Sequence, residues 1–223
     1  MKTGYIFKHL TGTIFFFLIL FLSAGRINYT EGIIYLVISL VMFVLNYTLL
    51  KPDPELLEER SKPAEGTRAW DKKILGISFL VTICMYITAG LDSGRYLWSP
   101  DFHPVLLYTG IIFTVSGQLL FLIAQKQNRF FSSTVRIQHD RNQAVCNTGL
   151  YSFVRHPAYM GSVIQAAGFP LLMGSTWSII PAGFLVFLTV VRTYMEDNTL
   201  KNELKSYIEY SEKVKYRFIP FFW

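Results

Sequence analysis

The chain has 223 residues, of which 52% are hydrophobic and 16% are charged, and its formal net charge is +6. Its apolar residues are gathered into long runs that a soluble core would not need, so the composition excludes a soluble globular domain. The basic excess fits membrane topology and contact with anionic lipid, so it does not indicate nucleic-acid binding. We predict an all-α fold, a polytopic membrane bundle of about six transmembrane helices.

Six apolar runs are read as membrane spans, of which the first and the fifth are short. The first run follows Lys2 and Lys8 and ends at Ser23-Ala24-Gly25, a pattern that also fits a signal peptide. We favour a retained helix because a second apolar run follows closely. The predicted spans are Leu10–Ala24, Gly32–Leu50, Ile74–Leu91, Val105–Ala124, Ala158–Met173 and Trp177–Met195.

Lysine and arginine are concentrated in alternate loops. Residues 51–73 and 126–155 are rich in them, whereas the intervening loops hold only Arg26 and Arg95. By the positive-inside rule, both termini and the two basic loops face the cytoplasm. Within the first basic loop, residues 55–60 read as a short amphipathic helix at the interface. Trp70 beside Asp71 reads as an interfacial anchor that opens the third span.

Metal ligands show no cluster in the sequence. Cys84 falls inside the third span and Cys146 in a basic loop, so they do not readily pair, and neither has metal-ligand spacing. The four histidines are scattered, and a glycine-rich phosphate or dinucleotide loop is missing. We therefore predict no metal and no soluble dinucleotide fold.

The segment Arg155-His156-Pro157-Ala158-Tyr159-Met160-Gly161 leads directly into the fifth span. Pro157 suits a first helical turn, where four backbone donors would remain free to meet an anion. His156 and Tyr159 are three residues apart and share a helix face. The alternative is a simple interfacial anchor, because Arg, His and Tyr all favour the headgroup layer.

A second group of ionisable residues follows the sixth span. Arg192 and Glu196 are four residues apart, with Asp197 next in the chain, so they form either an ordinary ion pair or one wall of a polar pocket. Spans five and six form a hairpin whose two ends share one side of the membrane, which would bring His156 and Tyr159 to the same pocket. The aromatic, basic tail that follows is predicted to be helical up to about Lys213.

These motifs resemble the isoprenylcysteine carboxyl methyltransferase family, which includes phospholipid methyltransferases. The resemblance rests on Gly149-Leu150-Tyr151, the Arg155–Gly161 segment, Arg192 with Glu196-Asp197, and a tail with Tyr207, Tyr210 and Arg217-Phe218-Ile219-Pro220. It implies S-adenosylmethionine as methyl donor, bound in a cytoplasmic pocket of the carboxy-terminal half. Residues 126–223 would form the catalytic region with two membrane helices and the tail, and residues 1–125 the amino-terminal helices and cytoplasmic loop.

The resemblance also implies roles for individual positions. Arg192 and Glu196 would be the catalytic residues, with Arg192 facing the substrate. Asp197 stands where many relatives have a second glutamate. The implied cofactor contacts are Gln138, Gln143, Ala144, Val145, Cys146, Tyr151, His156, Pro157, Ala158, Tyr159 and Glu196.

The implied acceptor is a lipophilic molecule that enters from the bilayer: an isoprenylcysteine-like carboxylate, a phospholipid headgroup or a small hydrophobic molecule. The compact length and the resemblance favour a prokaryotic inner membrane, and the oligomeric state stays open. One alternative is a sterol-type membrane reductase that uses reduced nicotinamide, since such enzymes share the Tyr216–Pro220 type of ending. Another is a membrane scaffold without chemistry.

Overall fold

A computed structural model describes residues 2–50, 54–61, 66–220 and 223, and over these residues the chain is helical without any strand. The predicted all-α class is confirmed. Short 3₁₀ turns occupy His139–Arg141 and Gly149–Ser152. The helices are α1 (Lys2–Ala24), α2 (Thr30–Leu45, continued by a π-helical turn Asn46–Leu50), α3 (Pro54–Ser61), α4 (Ala69–Ala89, continued by a π-helical turn Gly90–Tyr96), α5 (Pro104–Gln127), α6 (Pro157–Met173), α7 (Ile179–Glu203) and α8 (Lys205–Lys213).

Five of these helices are long and apolar enough to cross a membrane: α1, α2, α4, α5 and α7. The remaining predicted span, the fifth, is α6, which has 17 residues. At a rise of 1.5 Å per residue it is about 26 Å long, slightly less than the hydrocarbon core of a bilayer. The fifth span is therefore a short helix, as its sequence indicates, and the chain is an integral multi-pass membrane protein.

Contacts between the helix ends show that successive spans alternate in direction. At one end, His9 Nδ1 of α1 lies 3.1 Å from the Tyr47 hydroxyl that follows α2. At the other end, the Tyr29 hydroxyl lies 2.6 Å from Ser93 Oγ and 3.3 Å from the Met173 carbonyl. We call the first end, which carries α3, residues 128–156 and α8, the basic end. Its cytoplasmic orientation stays a prediction.

The opposite end is held together by the buried carboxylate of Asp92. It accepts hydrogen bonds from the Ser99 N–H and hydroxyl at 2.8 and 2.7 Å, and from the Ser175 hydroxyl at 2.6 Å. The Trp177 N–H completes the set at 3.2 Å. Because Ser175 and Trp177 belong to the turn between α6 and α7, this aspartate fixes the hairpin to the end of α4.

Helices α5 and α6 pack backbone against backbone through glycines. A methyl group on Gly117 would lie 2.5 Å from the Gly161 carbonyl, and one on Gly161 would lie 2.5 Å from the Gly117 carbonyl. One heptad along, a methyl group on Gly168 would lie 2.7 Å from Phe113 Cβ. Small residues allow such close approach between membrane helices. This packing fixes the register of α6 against α5, and the apolar runs alone do not predict it.

The two boundaries that differ most from the predicted spans are the end of α7 and the start of α1. Helix α7 continues beyond Met195 to Glu203, because Asp197 on its inner face is bound by buried partners described below. Helix α1 begins at Lys2, well before Leu10. The short helix predicted over residues 55–60 and the tail helix ending at Lys213 are confirmed as α3 and α8.

Other predictions about the loops and domains have a mixed outcome. The basic residues Lys51 and Lys62 lie outside the described residues. Both cysteines are free, as predicted. The division into residues 1–125 and 126–223 stays a prediction; its boundary falls in the last turn of α5.

The glycine contact between α5 and α6 yields a stability prediction. We expect Gly117→Ala to destabilise the protein by about 1–3 kcal/mol, because the added methyl group overpacks a backbone contact. Thermal unfolding in detergent measures this effect. Gly183→Ala is the matched control, since a methyl group there meets nothing within 4 Å. Equal melting temperatures for the two variants would contradict the proposed packing.

Candidate functional site

A cavity of about 190 Å³ opens at the basic end, between α5, the loop 128–146, the start of α6, the end of α7 and α8. Arg192, expected to face the substrate, lines it, and Pro157 does not. The structure thus collects residues from well-separated segments, while their roles stay predictions. The expected cofactor residues along its wall are Gln138, Gln143, Ala144, Val145, Cys146, Tyr151, His156, Ala158, Tyr159 and Glu196.

The first turn of α6 offers fewer free donors than the sequence suggested. Pro157 has no N–H, and the N–H groups of Tyr159 and Met160 donate to the His156 carbonyl at 3.1 and 3.2 Å. The His156 N–H donates to the Arg217 carbonyl at 2.7 Å. Within the described chain this leaves the N–H of Ala158 without an acceptor, so one donor rather than four is available to an anion.

The His156 ring is held from two sides. Its Nε2 lies 3.4 Å from Asp197 Oδ1 and 3.3 Å from the Tyr207 hydroxyl. Its face stacks on the Tyr159 ring, with centroids 5.6 Å apart. The shared helix face inferred from the spacing of His156 and Tyr159 is therefore observed, and the stacked pair forms part of the cavity wall.

Glu196 is paired with Tyr159 and not with Arg192. The Tyr159 hydroxyl donates to Glu196 Oε2 across the α6–α7 hairpin. The second carboxylate oxygen accepts no hydrogen bond from the described residues. Glu196 is also the only carboxylate among the described residues that line the cavity. The ordinary ion pair between residues 192 and 196 is thus excluded.

Arg192 instead binds Asp71, at the start of α4. Its Nε donates to Asp71 Oδ1 at 2.7 Å, and Nη2 approaches Oδ2 at 3.4 Å and the Ser133 carbonyl at 3.1 Å. The Asp71 side chain is fully buried and also accepts a bond from the Val135 N–H at 2.8 Å. The guanidinium carbon lies 5.3 Å from the Tyr159 ring centroid. Asp71, read from the sequence as part of an interfacial anchor, is therefore what orients Arg192.

Asp197 is the most heavily bound acid at the site. Its fully buried carboxylate accepts bonds from Arg155 Nε and Nη2 at 2.7 and 3.0 Å. The Tyr207 hydroxyl donates to it at 2.8 Å and Arg217 Nε at 3.1 Å, and Lys201 Nζ lies 3.4 Å away. One carboxylate therefore joins the start of α6, helix α7, helix α8 and the tail.

Arg155 extends this junction to the end of α8. Its Nη1 donates to the Val214 and Lys215 carbonyls at 2.8 and 2.9 Å, which terminates the helix. Its own N–H donates to the Tyr216 carbonyl at 2.9 Å. Arginine at a helix C-terminus satisfies carbonyls that lack helical partners. Arg155 thus serves to attach the tail, a role that its motif alone did not indicate.

The loop 128–146 is shaped by Gln138, whose side chain is buried. Its amide nitrogen donates to the Phe130 carbonyl at 2.8 Å, and its amide oxygen accepts from Arg141 at 2.7 Å. The Gln143 side chain accepts the Gln138 N–H at 2.8 Å. Both side-chain groups of Gln138 are therefore engaged within the loop, and its contact with a cofactor stays a prediction.

Helix α3 fastens the same loop to the amino-terminal half. Arg136 forms a two-pronged pair with Glu59 at 2.9 and 2.8 Å, and both side chains are largely buried. Arg129 binds Glu55 at 2.8 Å on the surface. The buried pair is bidentate and therefore fixes the geometry of the loop, whereas the exposed pair contributes little.

Tyrosines from the loop and the tail contribute further cavity wall. Burial raises the pKa of Tyr151 and of Tyr210, and burial together with the Asp197 charge raises the pKa of Tyr207. Burial likewise raises the pKa of the Cys146 thiol. At neutral pH these groups are protonated, so they donate hydrogen bonds and offer apolar faces but do not act as bases.

The missed residues share a physical feature. Asp71 and Asp197 are acids at the membrane end of an apolar helix, where an unpaired charge is costly. That cost signals a partner, but the partner of Asp71 lies 121 residues away in the chain. Among the described residues, no group of three His, Cys, Asp or Glu side chains could hold a metal ion.

Comparison with known proteins confirms the family resemblance. Residues 110–202 match the model of the isoprenylcysteine carboxyl methyltransferase (ICMT) family. Protein-S-isoprenylcysteine O-methyltransferase of Saccharomyces cerevisiae is 28% identical over 113 residues, which are 47% of this chain and 45% of that protein. Protein-S-isoprenylcysteine O-methyltransferase B of Arabidopsis thaliana is 25% identical over 149 residues, 64% of this chain and 72% of its own. The match thus spans less than half the length of the yeast protein.

The Asp197 junction yields a second stability prediction. We expect Asp197→Asn to cost about 3–5 kcal/mol, because it leaves buried Arg155 without its counter-charge. Thermal unfolding and the rate of tryptic cleavage after Lys213 and Lys215 measure the loss. The control is Glu209→Gln on the exposed face of α8. A tail cleaved no faster than in the control would show that Asp197 does not hold it.

Proposed function

We propose that this chain is an integral-membrane methyltransferase that uses S-adenosylmethionine and methylates a lipophilic acceptor from the bilayer. The donor would bind in the cavity at the basic end, which would face the cytoplasm of a prokaryotic cell. One observation carries the proposal: residues implied by the family resemblance, from the loop at 143–146, Tyr151, the start of α6 and the end of α7, line one cavity. The family match and the printed names of both relatives support it.

The groups along the cavity fit a ligand that carries both signs of charge. The Ala158 N–H at the start of α6 is suited to the donor's carboxylate. The unpaired oxygen of Glu196 is suited to its ammonium group or its ribose hydroxyls. The faces of Tyr151 and Tyr159 are suited to a sulfonium. Because Arg155 is neutralised by Asp197, the ligand meets a paired arginine there and not a free cation.

S-adenosylmethionine supplies a methyl group that is already activated by its sulfonium. What remains for the protein is to align two reactants and to exclude water, and such positioning lowers a barrier by about 7–11 kcal/mol. The hairpin of α6 and α7 provides a rigid floor, and α8 with its buried Tyr207 and Tyr210 covers the cavity from the side of the tail.

Arg192 would hold the acceptor. Its Nε edge is bound to Asp71, whereas its Nη1 makes no hydrogen bond with any described residue. Nη1 is thus available to a carboxylate or phosphate, and the other edge of the fork fixes its direction. An acid acceptor is ionised at neutral pH and needs no base. For an amine acceptor Glu196 would serve, since Asp197 is fully engaged.

Donor binding provides the direct test of this function. We expect S-adenosylmethionine, and its demethylated product, to raise the melting temperature of the detergent-solubilised protein, since a ligand at 100 times its Kd stabilises by about 2.7 kcal/mol. Reduced nicotinamide dinucleotide should leave the melting temperature unchanged. The opposite pattern would reject the methyltransferase and support the reductase.

The pair between Asp71 and Arg192 predicts a selective kinetic defect. We expect Asp71→Asn to lower kcat/KM for the acceptor by about tenfold or more, because the guanidinium loses the charged partner that orients it. Donor affinity should change by less than about twofold, because Asp71 does not line the cavity in which the donor would bind. Both are measured with labelled methyl donor and membrane lipid extract.

Asp101→Asn serves as the control for this pair, since Asp101 is exposed at the opposite end of the bundle. Arg192→Lys should be at least as defective as Asp71→Asn, because lysine lacks the fork geometry. If donor affinity in Asp71→Asn fell in parallel with acceptor turnover, Asp71 would shape the donor site and not the orientation of Arg192.

A further inference from the structure

Helix α7 carries an exposed apolar face along most of its length. Four exposed side chains follow the spacing of a single helix face: Ile180, Phe184, Phe187 and Tyr194. Lys201 continues this face one heptad beyond Tyr194. From Ile180 to Lys201 the helix rises about 32 Å, which is close to the thickness of a hydrocarbon core. In a membrane this face therefore meets acyl chains, and Lys201 reaches the headgroups at the basic end.

Three cations share one carboxylate where this face ends. Arg155 Nε lies 2.7 Å from the carboxylate of Asp197, Arg217 Nε lies 3.1 Å from it, and Lys201 Nζ lies 3.4 Å from it. None of the three forms an ion pair with another carboxylate among the described residues. Two positive charges thus stay uncompensated. One does so even with a carboxyl group at Trp223 included, whose oxygen accepts the Arg217 N–H at 2.8 Å. Such an excess of positive charge attracts an anion.

Arg217 offers free hydrogen-bond donors at this place. It binds Asp197 through Nε, and its Nη1 and Nη2 form no hydrogen bond with a described residue. Its guanidinium carbon lies 4.7 Å from the ring centroid of Trp223 and 5.6 Å from that of Tyr194. The carboxylate and the two rings hold the guanidinium in place, so its remaining N–H groups are preorganised for an oxyanion. Because Tyr194 belongs to the exposed face of α7, these groups lie beside the lipid.

Lys201 places a second cation next to Arg217. Its side chain is 36% exposed, and its ammonium group approaches Asp197 Oδ2, the same oxygen that Arg217 Nε binds. Glu203, two residues farther along the chain, is paired with Arg68 and does not compensate for Lys201. Two neighbouring cations with free donors can be bridged by the oxygens of one phosphate.

We propose that Arg217 and Lys201 bind the phosphate of an anionic phospholipid whose acyl chains lie along the exposed face of α7. A zwitterionic lipid has the same phosphate but brings its own cation to a group that is already positive, so the site favours the anionic lipid. Since Arg217 belongs to the tail and Lys201 to α7, the bound lipid fastens the tail to α7. This site goes beyond the methyl transfer proposed above and does not depend on it.

Native mass spectrometry of the full chain, delipidated in a neutral detergent, tests the site. With equimolar phosphatidylglycerol and phosphatidylcholine, we expect phosphatidylglycerol to be the first bound lipid about tenfold more often, as for one charge-assisted hydrogen bond. Glycerophosphoglycerol, the same headgroup without acyl chains, should not displace it at equal concentration. Equal binding of the two lipids would overturn the proposal, and displacement by the chain-free headgroup would show a site for a soluble phosphate instead.

Three variants assign the preference to the two cations. Arg217→Gln should abolish it, and Lys201→Gln, which leaves the pair between Arg217 and Asp197 intact, should reduce it about fivefold. Lys205→Gln is the matched control, because Lys205 is an exposed cation four residues from Lys201 that forms no ion pair with a described residue. This control should keep the preference of the parent. Equal losses in Lys201→Gln and Lys205→Gln would show a general attraction to the membrane surface and reject the site.

The contact between tail and lipid has its own measurement. Opening the tail breaks the phosphate contacts, so phosphatidylglycerol should slow tryptic cleavage after Lys213 and Lys215 about tenfold relative to phosphatidylcholine. Equal cleavage in the two lipids would contradict a lipid that joins the tail to α7. If S-adenosylmethionine failed to bind while the lipid preference remained, the methyltransferase function would fall and the lipid site would stand.

Discussion

The buried carboxylate of Asp197 is the constraint on which the basic end of the molecule depends. Asp197 belongs to α7, and its carboxylate is shielded from solvent. It binds Arg155 before α6, Tyr207 of α8 and Arg217 of the tail. Burying a carboxylate is costly unless ions and hydrogen bonds compensate for it. These compensating groups reach Asp197 only when the segments that carry them hold fixed positions relative to α7. The start of α6, the direction of α8 and the course of the tail are therefore fixed together. The cavity follows from that arrangement, since its walls are the surfaces that these elements present to one another.

A second buried acid, Asp71, does for Arg192 what Asp197 does for Arg155. Both arginines line the cavity, and both are neutralised from behind by an aspartate that does not line it. Glu196 is left as the carboxylate that faces the cavity, held through one oxygen by Tyr159. Both arginines are thus oriented by buried carboxylates. Such a lining suits the proposed donor, which carries charges of both signs, and it leaves one guanidinium edge of Arg192 for the proposed acceptor.

The sequence predicted the features that depend on local patterns. Apolar run length located the spans, and Pro157 together with the polar segment before it located the start of α6 within one residue. Features that depend on distant partners were not predictable. From the sequence, Asp71 is interpreted as a surface anchor, because its contact with Arg192 depends on the fold. The predicted sixth span ends before Asp197 because an acidic residue there suggests exposure, whereas the fold pairs it with Arg155. The glycine contact between α5 and α6 also depends on distant partners. Small residues allow close helix packing, but the sequence does not show which helix packs against them.

In the proposed function, the segments joined through Asp197 act as one donor-binding unit. Backbone hydrogen exchange, measured with and without S-adenosylmethionine, tests it most directly, because ligand binding slows exchange wherever the bound state requires ordered structure. We expect the donor to slow exchange together in residues 143–146, at the start of α6 and in residues 205–217, and to leave exchange at the opposite end, around Asp92, unchanged. Protection limited to one of these segments, or none in the tail, would contradict it.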